Sequence, residues 1–141
     1  MNLKVSILLI SALLVSACVS IESDRQAVKI AGKGVDNFHR QLNAEEYQQI
    51  YAQSHQEFRS AVGEAKAIDY FSFIRRKLGK VKRAELKNWQ ENNQNNRTLI
   101  ALFYETEFDE DKAREEFIWL INGNEAILFR YNIDSPTLVT K

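Results

Sequence analysis

The chain has 141 residues, and 19 Lys and Arg are balanced by 19 Asp and Glu. That neutral balance argues against nucleic acid as the main partner, since such partners call for a basic surface. One cysteine and two histidines, His39 and His55, exclude a disulfide scaffold, a Cys-based metal site and a His-rich metal site. The length fits one domain with one core.

Residues 1–18 have three parts. Lys4 gives a short positive region, Val5 to Val15 is apolar except for Ser6 and Ser11, and Ser16-Ala17 puts small side chains before Cys18. This is the layout of a secretory signal, and the apolar run is shorter than the ~20 residues of a membrane-spanning helix. Val15-Ser16-Ala17-Cys18 resembles the lipobox of bacterial lipoproteins. The resemblance implies cleavage before Cys18, a diacylglyceryl thioether on its sulfur and a protein tied to the membrane. Val19 follows the cysteine where an aspartate would imply retention at the inner membrane. The expected location is therefore the outer membrane, facing the periplasm. The division expected is residues 1–17 as signal peptide, 18–23 as lipidated cysteine and short extended tether, and 24–141 as one domain.

Asp24 is placed to cap a first helix, whose stripe is Val28, Ala31, Val35, Phe38 and Leu42. Asn43 with Glu46 reads as a capping-box variant opening a second helix, with Tyr47, Ile50, Tyr51 and Phe58 on one face. That helix is expected to break near Ser54-His55, restart toward Val62 and end at Gly63. A third helix is predicted over 64–78, with Ala67, Ile68, Phe71, Ile74 and Leu78 inward. Arg75, Arg76 and Lys77 complement its dipole, and Gly79 closes it.

The period then falls to near two. Strands are expected at 80–90, 98–108, 113–121 and 125–133, separated by turns at 92–96, 109–111 and Asn122-Gly123. Phe117, Trp119 and Ile121 are expected on one face of the third strand, and Ile127, Phe129, Tyr131 and Ile133 on one face of the fourth. About three helices followed by a four-stranded antiparallel meander make an α+β domain. Tyr47-x-x-Ile50-Tyr51, Phe58-Arg59, Leu78-Gly79-Lys80-Val81-Lys82, Phe103-Tyr104-x-Thr106 and Leu128-Phe129-x-Tyr131-x-Ile133 together resemble small bacterial envelope proteins. Those carry an uncharacterised domain placed near the nuclear transport factor two-like, cystatin-like fold. The resemblance implies a cone-shaped sheet wrapped on helices, and no activity.

Three constellations are candidate sites. Residues 75–87 hold seven positive charges and one negative, and residues 105–116 hold seven negative and two positive. Arg75, Arg76, Lys80, Lys82 and Arg83 could face anionic lipid or an acidic partner; adjacent strands could equally pair the two runs as exposed ion pairs. The strand aromatics could line a ligand cavity or fill a core, and Trp89, on the expected edge strand, is the candidate for an exposed contact. His55, Asp69 and Tyr70 could meet as an acid–base set, yet no nucleophile motif, phosphate loop or metal signature accompanies them. The leading expectation is a non-catalytic envelope lipoprotein that binds another envelope protein and needs no cofactor. A small-molecule or lipid carrier is the alternative, and a cone-type enzyme comes third.

Overall fold

The computed structural model describes residues 16–139. Residues 1–15, most of the expected signal segment, lie outside the described residues. The elements are α1 (Ser16–Asn43), α2 (Tyr47–Gln53), α3 (Gln56–Val62), α4 (Glu64–Leu78), β1 (Val81–Gln94), β2 (Arg97–Phe108), β3 (Lys112–Asn122), β4 (Glu125–Asp134) and α5 (Pro136–Val139). The strands form one antiparallel sheet in the order β1-β2-β3-β4, with helices packed on it. The chain is thus an α+β domain.

The first helix starts earlier than its stripe suggests. Residues 18–23, expected as an extended tether, continue α1, so Asp24 lies inside the helix instead of capping it. Further along, Ala31, Val35, Phe38 and Leu42 are buried on the stripe as the 3.6-residue period requires. Among the described residues no helix is long and apolar enough to cross a membrane.

The second helix begins at a different cap. Asn43 ends α1, and its side chain instead clamps the start of β1, with Oδ1 accepting from Val81 N at 2.8 Å and Nδ2 donating to Val81 O at 3.1 Å. Glu46 is the N-cap residue of α2. His55 caps α3 through Nδ1, which accepts from Glu57 N. Gly63 and Gly79 flank α4 at φ +79° and +80° with extended ψ, a region essentially restricted to glycine.

Two of the three hairpins have two-residue loops. Asn95 and Asn96 both adopt positive φ, as a type I′ turn demands, between the paired Gln94 and Arg97. Gly123-Asn124 joins the paired Asn122 and Glu125, with Gly123 at φ +60°.

The core lies between the helices and one sheet face. Phe38 of α1 and Phe71 of α4 meet edge-on, and Phe38 also meets Phe117 and Tyr131 of the sheet, with centroids 4.7–5.7 Å apart. Ile100, Leu102, Phe108, Ala113, Phe117, Trp119, Leu128 and Tyr131 complete the sheet side. Phe117 and Trp119 share a face as expected. The fourth strand requires a correction: Leu128 and Tyr131 face the core, because the register shifts opposite Ile118 and Trp119. Ile118 pairs Arg130 and Trp119 pairs Leu128, so Phe129 is the extra residue of a bulge. Its ring lies 5.2 Å from His55, and the Arg97 guanidinium stands 5.7 Å from its centroid.

Contacts along its length fix the direction of α1. Gly34 packs against Trp119 and Ala126, His39 meets Glu115, and Asn43 meets Val81. The helix therefore runs from the β3–β4 hairpin end of the sheet to the end holding the β2–β3 turn and the start of β1.

Candidate functional site

The expected basic strip is real but mostly paired. Arg75 and Arg76 lie in the last turn of α4, and Lys80, Lys82 and Arg83 precede or open β1. The antiparallel register sets Arg83 opposite Glu107 and Glu85 opposite Glu105. Lys82 is 3.9 Å from Glu107, Arg83 is 3.4 Å from Glu85, and Arg75 is 3.9 Å from Glu45. Arg76 donates to the Ser72 hydroxyl. Exposed pairs of this kind contribute under ~1 kcal/mol each, and of those named only Lys82 with Glu107 joins the basic run to the acidic run across β1 and β2. Trp89 is 40% exposed, and its cross-strand partner is buried Leu102. It thus lies on the helix side of the sheet at the open edge, with Leu86 exposed beside it on the same strand.

The acid–base set His55, Asp69 and Tyr70 is dispersed. His55 is committed as a helix cap, and its backbone N–H donates to Leu128 O at 2.8 Å. Asp69 is on the exposed face of α4. Tyr70 packs on Phe71 and Tyr131. Among the described residues no hydrogen bond or ion pair joins the three.

A different polar set is gathered in the core. Glu115 of β3 is 2% exposed and His39 of α1 is 7% exposed. His39 Nε2 lies 2.7 Å from Glu115 Oε2. The Thr106 hydroxyl of β2 donates to the same oxygen at 2.5 Å, and the Tyr131 hydroxyl of β4 donates to Oε1 at 2.6 Å. Both carboxylate oxygens are thus engaged, as burial of such a group requires. The His39 ring is walled by Phe38 and Phe117. Burial, then the Glu115 charge, pushes the Tyr131 hydroxyl well above its ordinary ionisation range. Burial also raises Tyr104, with Asp36 and then Glu115 adding to the shift. For Tyr70, burial raises the hydroxyl and the Ile133 backbone opposes it.

Chemically this set is a closed lock. It joins α1 to three strands, and its acid–base groups are sealed from solvent by aromatic rings. A pattern signal for it exists in the sequence: Glu115 falls in the alternation Ala113, Glu115, Phe117, Trp119, and Thr106 in Ile100, Leu102, Tyr104, Thr106, Phe108. Among the described residues no three His, Cys, Asp or Glu side chains converge as a metal site.

On the opposite sheet face, Arg97 at the start of β2 pairs with Glu57 of α3 at 2.8 Å. Leu99, Ala101, Phe103, Ile118, Leu120 and Ile127 are half-buried there, next to the charged residues Glu105, Glu107, Lys112 and Arg114. Shallow depressions of about 350 and 280 Å³ meet at Phe103 and Glu116. The helix side, by contrast, is filled by fully buried Phe38, Leu42, Phe71, Ile74 and Phe117. A crevice of about 50 Å³ lies beside Trp119 and Gln41.

No family model matches the chain, and no curated protein matches it.

Proposed function

We propose that this chain is a lipid-anchored, non-catalytic interaction module of the bacterial envelope, held at the outer membrane by Cys18 and facing the periplasm. Its sheet, wrapped on α1 and α4, is read as a small cone of the cystatin-like, nuclear transport factor two-like type. The observation that carries the reading is the length and direction of α1. From Cys18 to Asn43 the helix rises about 37 Å at ~1.5 Å per residue. A lipid on Cys18 would set the β3–β4 hairpin end toward the bilayer. Arg75, Arg76, Lys80, Lys82 and Arg83 gather near Asn43, at the far end.

That geometry supports one of the two uses of the basic strip over the other. Electrostatic attraction decays over ~8 Å at physiological salt, so residues some 37 Å from the anchor do not serve lipid headgroups. They are presented outward, to an acidic surface on an envelope partner. The filled helix side gives the carrier alternative no support, and the sealed His39–Glu115 pair gives none to a cone-type enzyme.

The test is in-cell photocrosslinking from positions 80 and 89 of the full-length chain, beside a position near the anchor such as 124. One envelope protein captured from 80 or 89 and not from 124, and lost with Cys18→Ser, is the expected outcome. Capture from 124 alone would overturn the orientation. A Cys18 that incorporates no fatty acid would overturn the anchor.

A further inference from the structure

The outer sheet face combines apolar side chains with a two-fold pattern of charge. Across β2 and β3 the outward neighbours are Leu99 with Leu120, Ala101 with Ile118, Phe103 with Glu116, Glu105 with Arg114, and Glu107 with Lys112. Four of these five pairs are apolar with apolar or acid with base, and Phe103 beside Glu116 is the exception. From this we infer that a second copy of the chain covers the face, related by a two-fold axis parallel to the strands and running between β2 and β3.

Such an axis lays β2 of one copy over β3 of its partner at the same height. Each residue then faces a copy of its own cross-strand neighbour. Leu99 meets the partner's Leu120, Glu105 meets the partner's Arg114, and the reciprocal contacts follow by symmetry, as an isologous interface requires. Complementarity across β2 and β3 thus becomes complementarity between sheets, whereas at the edges the axis sets Glu85 of β1 over Asp134 of the partner's β4. The Glu116 carboxylate accepts from Asn132 at 3.2 Å, which engages it within its own sheet beside Phe103. An axis perpendicular to the strands fails, because it would lay Glu107 and Lys112 over Leu99 and Leu120.

Size is adequate. Four strands ~4.8 Å apart and eight residues at ~3.4 Å give a flat footprint of roughly 500 Å² per copy. The pair buries on the order of 1,000 Å² before side-chain relief is counted, the area at which specific interfaces begin. Two sheets packed ~10 Å apart at a small angle are a common arrangement.

The axis also has a consequence for anchoring, which rests on the proposed lipid attachment at Cys18. A two-fold parallel to the strands leaves both α1 helices starting at the same end. Both Cys18 residues would then address one bilayer, and both basic ends would point away from it.

The experiment uses the full-length chain in detergent, with protein mass read by light scattering. The unchanged chain is expected to be a dimer. Leu99→Lys and Leu120→Glu are each expected to be monomeric with unchanged circular dichroism. Mixed in equal amounts, they are expected to form a heterodimer in which Lys at 99 faces Glu at 120. A monomeric parent at 100 µM (about the highest concentration we would test), or variants that stay dimeric, would overturn the proposal, as would a mixture that stays monomeric. A photoreactive residue at 120, with heavy and light copies mixed, covers the case of a variant that misfolds. Crosslinks between copies near 99 support the pairing, and crosslinks elsewhere overturn it. A Cys18→Ser chain separates the two readings. Dimers that persist in it without lipid keep the sheet pairing whatever becomes of the anchor, whereas their loss would assign the association to the lipid.

Discussion

Replacing Glu115 by alanine tests whether the buried set is the lock between α1 and the sheet. The change removes the acceptor for three donors, His39 Nε2, Thr106 Oγ1 and Tyr131 OH, at 2.5–2.7 Å. A buried donor left unpaired costs ~1–3 kcal/mol, so the donors alone set a range of ~3–9 kcal/mol. Relief of the buried carboxylate offsets part of that, and removal of one partner from a buried pair costs ~3–5 kcal/mol. We therefore expect a loss of about 4 kcal/mol, a large part of the ~5–15 kcal/mol that holds a domain together. Urea unfolding followed by circular dichroism measures it. With a slope near ~1.5 kcal/mol/M the midpoint falls by between ~2 and ~3 M. The partner experiment replaces all four groups: His39→Leu, Thr106→Val, Glu115→Met and Tyr131→Phe. A buried polar set exchanged for apolar groups of similar volume is often neutral or stabilising, so this variant is expected within ~1 kcal/mol of the parent. A Glu115→Ala loss below ~1 kcal/mol with an unchanged slope would refute the lock. A quadruple variant as weak as the single one would refute the claim that unpaired donors cause the loss.

Three further outcomes concern other parts of the molecule. The Tyr131 hydroxyl is raised well above its ordinary value of 10.0 by burial and by Glu115. The neutral form is favoured in the fold, so its contribution is complete below about pH 10 and is lost as pH rises from there toward the folded-state value. Unfolding free energy measured from pH 9 to 12 (roughly the window in which tyrosine titrates) should fall more steeply for the parent than for Tyr131→Phe. Asp111 is held down to about 2 by the hydroxyls of Thr137 and Ser135 and by the Lys112 N–H, against an ordinary 3.8. That contribution is present above 3.8 and is lost as pH falls through about 2. Proton exchange at the Thr137 amide should therefore quicken in that acid window, and an exchange rate flat across it would contradict the assignment. At the ends of α4, a side chain on Gly63 meets nothing within 4 Å, whereas one on Gly79 would stand 2.6 Å from Asp109 Cβ. Both alanine variants carry a backbone penalty of ~1–3 kcal/mol. Gly79→Ala should be the weaker by at least ~1 kcal/mol in thermal unfolding, because only it adds a clash with another segment.

What was legible in the sequence was periodic. The stripe from Ala31 to Leu42, the span of α4 with Gly79 behind it, and the strand order all come from local spacing and turn chemistry. What was not legible depended on one residue or on distance. A single extra residue at Phe129 moves Leu128 onto the core face, and a period-two pattern cannot register one insertion. Asn43 fits a capping box by spacing, but its side chain is taken by Val81, 38 positions away. His39 and Glu115 are 76 positions apart, and no local rule joins them.

The exceptions to alternation on β3 nonetheless separate the two faces. Inward, Ala113, Phe117 and Trp119 are what a core strand should carry, and Glu115 is the departure. Outward, Lys112, Arg114 and Glu116 are what a solvated face should carry, and Ile118 and Leu120 are the departure. A carboxylate in a core persists only where donors meet it, and three do. An apolar pair on an open face, continued by Leu99 and Ala101 on β2 and by Ile127 on β4, is larger than scattered surface residues would be and calls for a cover. The same strand thus fastens α1 from one side and offers a docking surface on the other. If the interface forms as proposed, Glu115→Ala weakens it only by unfolding the sheet, whereas Leu120→Glu abolishes it with the lock intact. The two variants, read for mass and for stability together, keep the two roles apart.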